Sequence, residues 1–186
     1  MILEALVTTT DATGACHLAP MGPRIEGDWS RFVLRPFPTS QTFQNLQRHG
    51  EGVLHVTDDV LLLAQAAIGQ APPVETFPAK SVRGFVLANA CRYFEFVLRR
   101  IDTTGERMHL EAEVLASGTL RDFFGLNRAK HAVLEAAILA TRVHLLPKAE
   151  ILAQYDSLRI LVEKTGGPSE HTAFEILQKY VSERKG

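Results

Sequence analysis

The sequence predicts an α+β protein, most simply a small β-barrel of six or seven short strands with three helices after it. Three observations predict it. Up to about Leu120, β-branched and aromatic residues come in short runs broken by Gly, Pro and Asp. After Gly125 the apolar residues recur at helical spacing instead. Strands in one block followed by helices in another, without alternation, mark the α+β arrangement. The expected division is a barrel domain over residues 1–120 and a helical subdomain over 121–186.

The strands are read in order. Ile2 to Thr9 is one apolar and β-branched run, ended by the turn "DATG"; Cys16 to Met21 and Arg31 to Arg35 are two more, joined through "GPRIEGD". A short helix follows from the cap Ser40 to Gly50, then a strand from Val53 to Thr57. Asp58 or Asp59 caps the apolar helix "VLLLAQAAIG", and the Pro-bearing "QAPPVETFPAK" reads as a loop. Strands resume at Gly84 to Ala88 and in "CRYFEFVLRRI" and "RMHLEAEVLASGTL". In the last of these, His109, Glu111 and Glu113 alternate with Leu110, Ala112 and Val114 at the period of two of a half-buried strand. "NRAKHAVLEAAILATRVHLL" predicts one helix ended by Pro147, "KAEILAQYDSLRILVEKT" a second ended by Gly166 and Gly167, and "SEHTAFEILQKYVSERK" a third capped by Ser169.

Composition excludes several classes of function. A net charge of −1 on 186 residues, with no run of five like charges, lacks the basic footprint of a nucleic-acid binder. "MILEALVTTTD" carries Glu4 and no basic n-region, so it does not read as a signal peptide. No stretch reaches the roughly 18 uncharged apolar residues of a membrane span. Cys16 and Cys91 are far apart, and the seven histidines show neither H-x-x-x-H nor H-E-x-x-H spacing, so no metal site is expected. The expected compartment is the cytoplasm.

The chemistry concentrates in "RPFPTSQTFQNL", where Arg35, Ser40 and Thr42 gather at the start of a helix. Ser40 suits an N-cap, and a helix N-terminus flanked by hydroxyls and a guanidinium equally suits an anion. Both readings stand on the residues alone. A second candidate lies in the long helix: Arg128, His131, Glu135 and Arg142 share one stripe, either its solvated edge or a face presenting His131 and Arg142 to a substrate. Ala129, Ala136 and Ala140 form a row suited to close helix packing.

Six separated stretches carry a resemblance: "LAPMG" at 18–22, "RPFPTSQTFQNL" at 35–46, "VTDD" at 56–59, "ANACRYFEF" at 88–96, "NRAKHAVLEAAILATRVHLL" at 127–146 and "KTGGPSEHTAF" at 164–174. In this order they resemble the flavin-reductase-like FMN-binding split barrels, and within them a DUF447-like family of bacterial and archaeal FMN-binding proteins with a helical tail. The resemblance implies a Greek-key split β-barrel of six to seven strands with a three-helix appendage, and FMN as cofactor. It implies an FMN phosphate held by Ser40 and Thr42 with support from Arg35, and Asn45 near the ribityl chain or phosphate. Ala19, Pro20 and Met21 would lie along the flavin ring, with Val56 and Thr57 nearby. It also implies a homodimer with flavin at the interface, with NADH or NADPH and a small-molecule substrate as partners. Two positions depart from the family pattern, in which amides commonly precede the A-P pair and V-T-D-D. Here His17 lies two residues before Ala19, and His55 precedes Val56.

The function expected on this basis is an FMN-dependent oxidoreductase in which the flavin performs the redox chemistry. The alternatives are an FMN-binding carrier whose helical tail docks a partner, and a split barrel that has lost its flavin.

Overall fold

A computed structural model describes residues 1–25 and 27–184. The chain divides into two compact units, Met1–Thr57 with Val74–Phe123, and Asp58–Pro73 with the chain from Phe124 onward. Residues 58–73, which lie within the sheet-forming half of the sequence, thus belong to the helical unit.

The first unit contains β1 (Ala5–Thr10), β2 (Cys16–Met21), β3 (Arg24–Ile25), β4 (Arg31–Leu34), helix α1 (Gln41–His49) and β5 (Glu51–Val56). In the second, α2 (Val60–Ala67) comes first; the chain then returns to the first unit for β6 (Thr76–Pro78), β7 (Phe85–Leu87), β8 (Arg92–Asp102) and β9 (His109–Thr119). Seven strands form one antiparallel sheet in the order β2-β1-β5-β8-β9-β4-β3, along a Greek-key path. Register shifts in the β8–β9 pair add the local bends that help a sheet curl. The curl brings the far edge back to the start of the chain: Ile2 bridges Arg24, Ile25 N–H donates to the Met1 carbonyl at 2.9 Å, and Leu3 N–H to the Pro23 carbonyl at 3.1 Å. This is a split barrel. The first run pairs in two pieces, Met1–Leu3 with the β3 edge and Ala5–Thr10 with β2 and β5.

The barrel interior holds Val7, Phe32, Leu34, Leu54, Phe94, Phe96 and Leu110, with Phe43 and Leu46 of α1 plugged into it. Gly52 permits this packing, since a Cβ there would meet the Phe96 ring at 2.9 Å and the Thr8 carbonyl at 3.0 Å. The outer face of β1, β5 and β8 is covered by a β6–β7 hairpin, which the sequence reading placed partly in a loop because of its prolines. Polar hooks hold this hairpin and its turn. Thr8 donates to the Phe85 carbonyl at 2.5 Å, and the buried Glu95 carboxylate accepts the Lys80 and Ser81 backbone N–H groups. A buried carboxylate is tolerable because these donors replace its lost hydration.

The second unit comprises α2, α3 (Arg128–Ala140), α4 (Lys148–Thr165) and α5 (Pro168–Glu183). The alanine face of α3 is wholly buried among them, with Ala129, Ala132, Ala136 and Ala140 at 0% exposure. Helix α3 is shorter than its apolar pattern implies. It stops at Ala140, where Thr141 Oγ1 turns back to the Ile138 carbonyl at 2.7 Å, and residues 141–146 form turns. Helix α5 starts earlier than expected: Gly167, not Ser169, is its N-cap, Pro168 occupies the first turn, and Glu170 accepts the Gly167 N–H at 2.9 Å. Among the described residues no helix is long and apolar enough to cross a membrane.

Candidate functional site

Helix α1 begins as its sequence dictates. Ser40 Oγ accepts the Phe43 N–H at 3.2 Å and donates to the Phe37 carbonyl at 2.7 Å, and Gly50 closes the helix at φ 69°. The capping role of Ser40 is therefore real. The helix also opens onto a cavity of ≈ 490 Å³, a volume within the range of small-molecule sites. Arg35, Ser40 and Thr42 line one side of it, and Ala19, Pro20 and Met21 of β2 line another. Six of the nine predicted cofactor residues thus share one concavity.

The chemistry of this lining is one-sided. It carries the guanidinium groups of Arg35 and Arg107 and the hydroxyls of Ser40 and Thr42, and no Asp or Glu. The first turn of α1 adds no acid either, so its free N–H groups and positive dipole end stand unopposed. Thr42 is 2% exposed, and no hydrogen bond joins its hydroxyl to a described side chain or backbone carbonyl. No buried side-chain N or O among the described residues lacks a partner, so this oxygen is open to the cavity. Strand β2 is a sheet edge, and an edge strand presents unpaired backbone donors and acceptors.

Residues 3–121 match the family model described as "Protein of unknown function (DUF447) N-terminal domain", and residues 127–179 the one described as "Protein of unknown function (DUF447)". The chain belongs to the DUF447 family. The DUF447 chain is similar in fold to an FMN-bound protein of that family from Methanosarcina mazei, with a TM-score of 0.83 at 23% identity over 96% of this chain and 94% of that one. It is also similar to a flavin reductase solved with NADP+, at TM-score 0.57, 16% identity and 66% and 81% coverage of this chain and that one. A 2-nitrobenzoate 2-nitroreductase from Pseudomonas fluorescens matches at TM-score 0.54 and 17% identity, over 62% of this chain and 64% of that one. No curated protein matches it.

Three predicted cofactor residues of the DUF447 chain lie off the cavity lining. Asn45 is fully buried; its amide donates to Thr9 Oγ1 at 2.9 Å and accepts from Gln41 Nε2 at 2.8 Å, which braces α1 against β1. Val56 and Thr57 are half-buried at the end of β5, where the Val56 carbonyl accepts the Cys91 N–H. His55 is wholly buried, with Nε2 accepting the Leu87 N–H at 3.0 Å and Nδ1 facing the Leu6 carbonyl at 3.4 Å. Both ring nitrogens serve the protein, and burial pushes the imidazole pKa down to about 3 against the opposing pull of the Leu6 carbonyl. His17, half-buried on β2, is also shifted down by burial, with Asp11 opposing.

The proposed stripe is divided. Arg128, His131 and Glu135 lie exposed on α3, while Arg142 lies exposed in the turns beyond its end. The sequence reading missed Ile2, Gly22, Pro36, Phe37 and Arg107 in the cavity. Phe37 sits inside the quoted motif and was open to recognition; Arg107 lies 72 residues after Arg35, and no local spacing connects them.

Proposed function

We propose that this DUF447 chain is an FMN-binding flavoprotein that works as an oxidoreductase, with the cofactor phosphate at the N-terminus of α1. The observation that carries the proposal is the cavity where Arg35, Ser40 and Thr42 converge without any carboxylate. A phosphate dianion gains charge-assisted bonds there and meets no like charge. Similarity to the FMN-bound protein from Methanosarcina mazei supports the choice of flavin.

The residues present fit such a cofactor. Arg35 and the α1 hydroxyls would hold the phosphate, and the β2 backbone at Ala19–Met21 offers polar groups for the edge of a flat heterocycle, though Pro20 has no N–H to give. Ile2 and Phe37 supply apolar wall. Bound FMN supplies the hydride and electron chemistry. The protein's part is to orient and to shape the electrostatics, since the cavity lining contains no His, Asp or Glu to move a proton. Asn45 acts through α1 in this reading, by holding the helix start in register with β1.

The same reading takes residues 1–120, apart from the segment 58–73, as the flavin-binding domain and 121–186 as the helical subdomain, in a cytoplasmic homodimer reduced by NADH or NADPH. Phe124 and Leu126 of the helical unit, both highly exposed, favour an oligomer, because exposed large apolar side chains are a common mark of an interface. The test is to saturate the purified protein with FMN, remove the excess, and add NADH or NADPH without oxygen. Retained flavin that is bleached supports the oxidoreductase; retained flavin that neither nicotinamide reduces favours the carrier; no retained flavin defeats both.

A further inference from the structure

We infer that the outer face of β3, β4 and β9 carries a second ligand site, a cavity in which Arg24 and Arg31 together take the carboxylate or phosphate end of a small anionic molecule. This site is independent of the flavin reading. The cavity measures ≈ 340 Å³, within the range of small-molecule sites, and shares no lining residue with the α1 cavity. The sheet register explains why it forms. Phe32 and Leu34 of β4 belong to the barrel core, so Arg31 and Val33 face outward. Arg24 pairs with Val33 and shares that face, and on β9 Glu113 and Glu111 stand opposite Arg31 and Val33. Val33 is the short side chain in the middle, and the longer charged ones around it form the walls.

The charge on these walls is unevenly spent. On the β9 side, Glu113 accepts from Arg99 Nε at 2.9 Å, and Glu111 has Arg100 Nη1 and His109 Nε2 each at 3.7 Å. On the β3–β4 side, no hydrogen bond or ion pair joins the Arg24 or Arg31 guanidinium to any described residue. Arg31 acts at longer range on Asp28 and Glu113, but Asp28 is committed to the Ser30 N–H and hydroxyl, and Glu113 to Arg99. Arg24 and Arg31 are diagonal neighbours on one sheet face, a separation of about 7–8 Å that long side chains span. Two adjacent guanidinium groups repel each other unless an anion lies between them, and each is a planar fork suited to an oxyanion. Both are exposed, so a ligand reaches them from solvent without any movement of the sheet.

The experiment titrates the full chain with inorganic phosphate and, separately, with succinate at constant ionic strength, following backbone amide and His109 ring signals by NMR in wild type, R24Q, R31Q and R83Q. Arg83 is an exposed arginine away from the cavity lining and serves as the control. At least one of the two anions should give saturable shifts at Val33, Ala112 and His109, with affinity about tenfold weaker in R24Q and in R31Q and unchanged in R83Q. The arm that binds more tightly identifies phosphate or carboxylate as the preferred end group. Shifts confined to Ser40–Asn45 would place the anion at α1 alone and overturn the inference. No saturation by either anion up to about 10 mM would also overturn it, as would unchanged affinity in R24Q or R31Q, or an equal loss in R83Q. Amide signals far from the cavity report whether each variant is folded, and R24K and R31K, which keep the charge but lose the planar fork, carry the comparison where a Gln variant is not.

Discussion

The His55 imidazole links β5 to the covering hairpin by accepting the Leu87 backbone N–H at 3.0 Å. Because that N–H must donate, Nε2 carries no proton, and Nδ1 holds the hydrogen facing the Leu6 carbonyl. The neutral ring is the form the fold requires. Its pKa is about 3 in the folded chain against 6.5 as an ordinary histidine, so between these values the unfolded chain binds more protons. Stability from this group is fully present above pH 6.5 and is lost as pH falls toward 3, at up to about 1.4 kcal/mol per pH unit. Denaturant midpoints measured across that window should fall steeply for wild type and less steeply for His55→Gln. Parallel slopes would show that His55 titrates normally.

Ser40 serves both the helix and the cavity, and two substitutions separate the roles. Ser40→Ala should cost about 1 kcal/mol of stability through the lost cap. Ser40→Asp keeps a good cap while placing a carboxylate at the proposed phosphate position, so it should retain stability yet bind FMN more weakly than Ser40→Ala. Thermal unfolding and FMN titration of the two variants check this. If Asp binds FMN as well as Ala does, the anion does not sit beside Ser40.

In the helical unit Lys130 Nζ pairs with Glu170 at 2.9 Å and donates to the Asp58 carbonyl at 2.7 Å. Burial alone would raise the Glu170 carboxyl, but the Lys130 ammonium and the Gly167 N–H outweigh it and hold the carboxyl below its ordinary value. Its contribution to stability is therefore present above the unfolded carboxyl pKa and is lost as pH falls through the folded one. Lys130→Met should destabilise by about 1–3 kcal/mol, since it strands a largely buried carboxylate, and adding Glu170→Gln should recover part of that loss. Denaturant unfolding at neutral pH of both single variants and the double variant measures the coupling; additive losses would show the pair to be inert.

The parts of this molecule legible in the sequence are those governed by near neighbours. Arg35, Ser40 and Thr42 lie within one strand end and one helix start, so local rules bring them together. Ala19, Pro20 and Met21 reach the same cavity through sheet pairing, and the resemblance to split barrels supplied them. Asn45 matched the motif but lies one turn deeper on α1 than Thr42, where the helix faces Thr9 instead of the opening. The α3 pattern ran on through Val143 and Leu146, whose half-burial comes from the turns that follow the helix. Arg107 required the β8–β9 turn to fold back onto residues 35–37, a contact with no sequence period. The alanine face of α3, which also suits contact with a second copy, is consumed inside its own unit.

A homodimer, if formed, has to use other surfaces. Sedimentation of the FMN-saturated protein should give about twice the 20.6 kDa chain mass, and replacing exposed Phe124 and Leu126 with Ser should lower it toward one chain. A wild-type mass of one chain would remove the dimer from the account.

The central claim, that the N-terminus of α1 receives the FMN phosphate, is tested most directly at Thr42. Its hydroxyl is open to the cavity and braces no described residue, so Thr42→Val removes a ligand contact without removing a protein one. The measurement is the FMN dissociation constant of wild type and Thr42→Val, with riboflavin and the unfolding of the flavin-free protein as controls. The account predicts FMN binding weaker by about tenfold, from one hydrogen bond to a charged acceptor, with riboflavin binding and unfolding unchanged. An FMN affinity equal to wild type in a correctly folded Thr42→Val would contradict it.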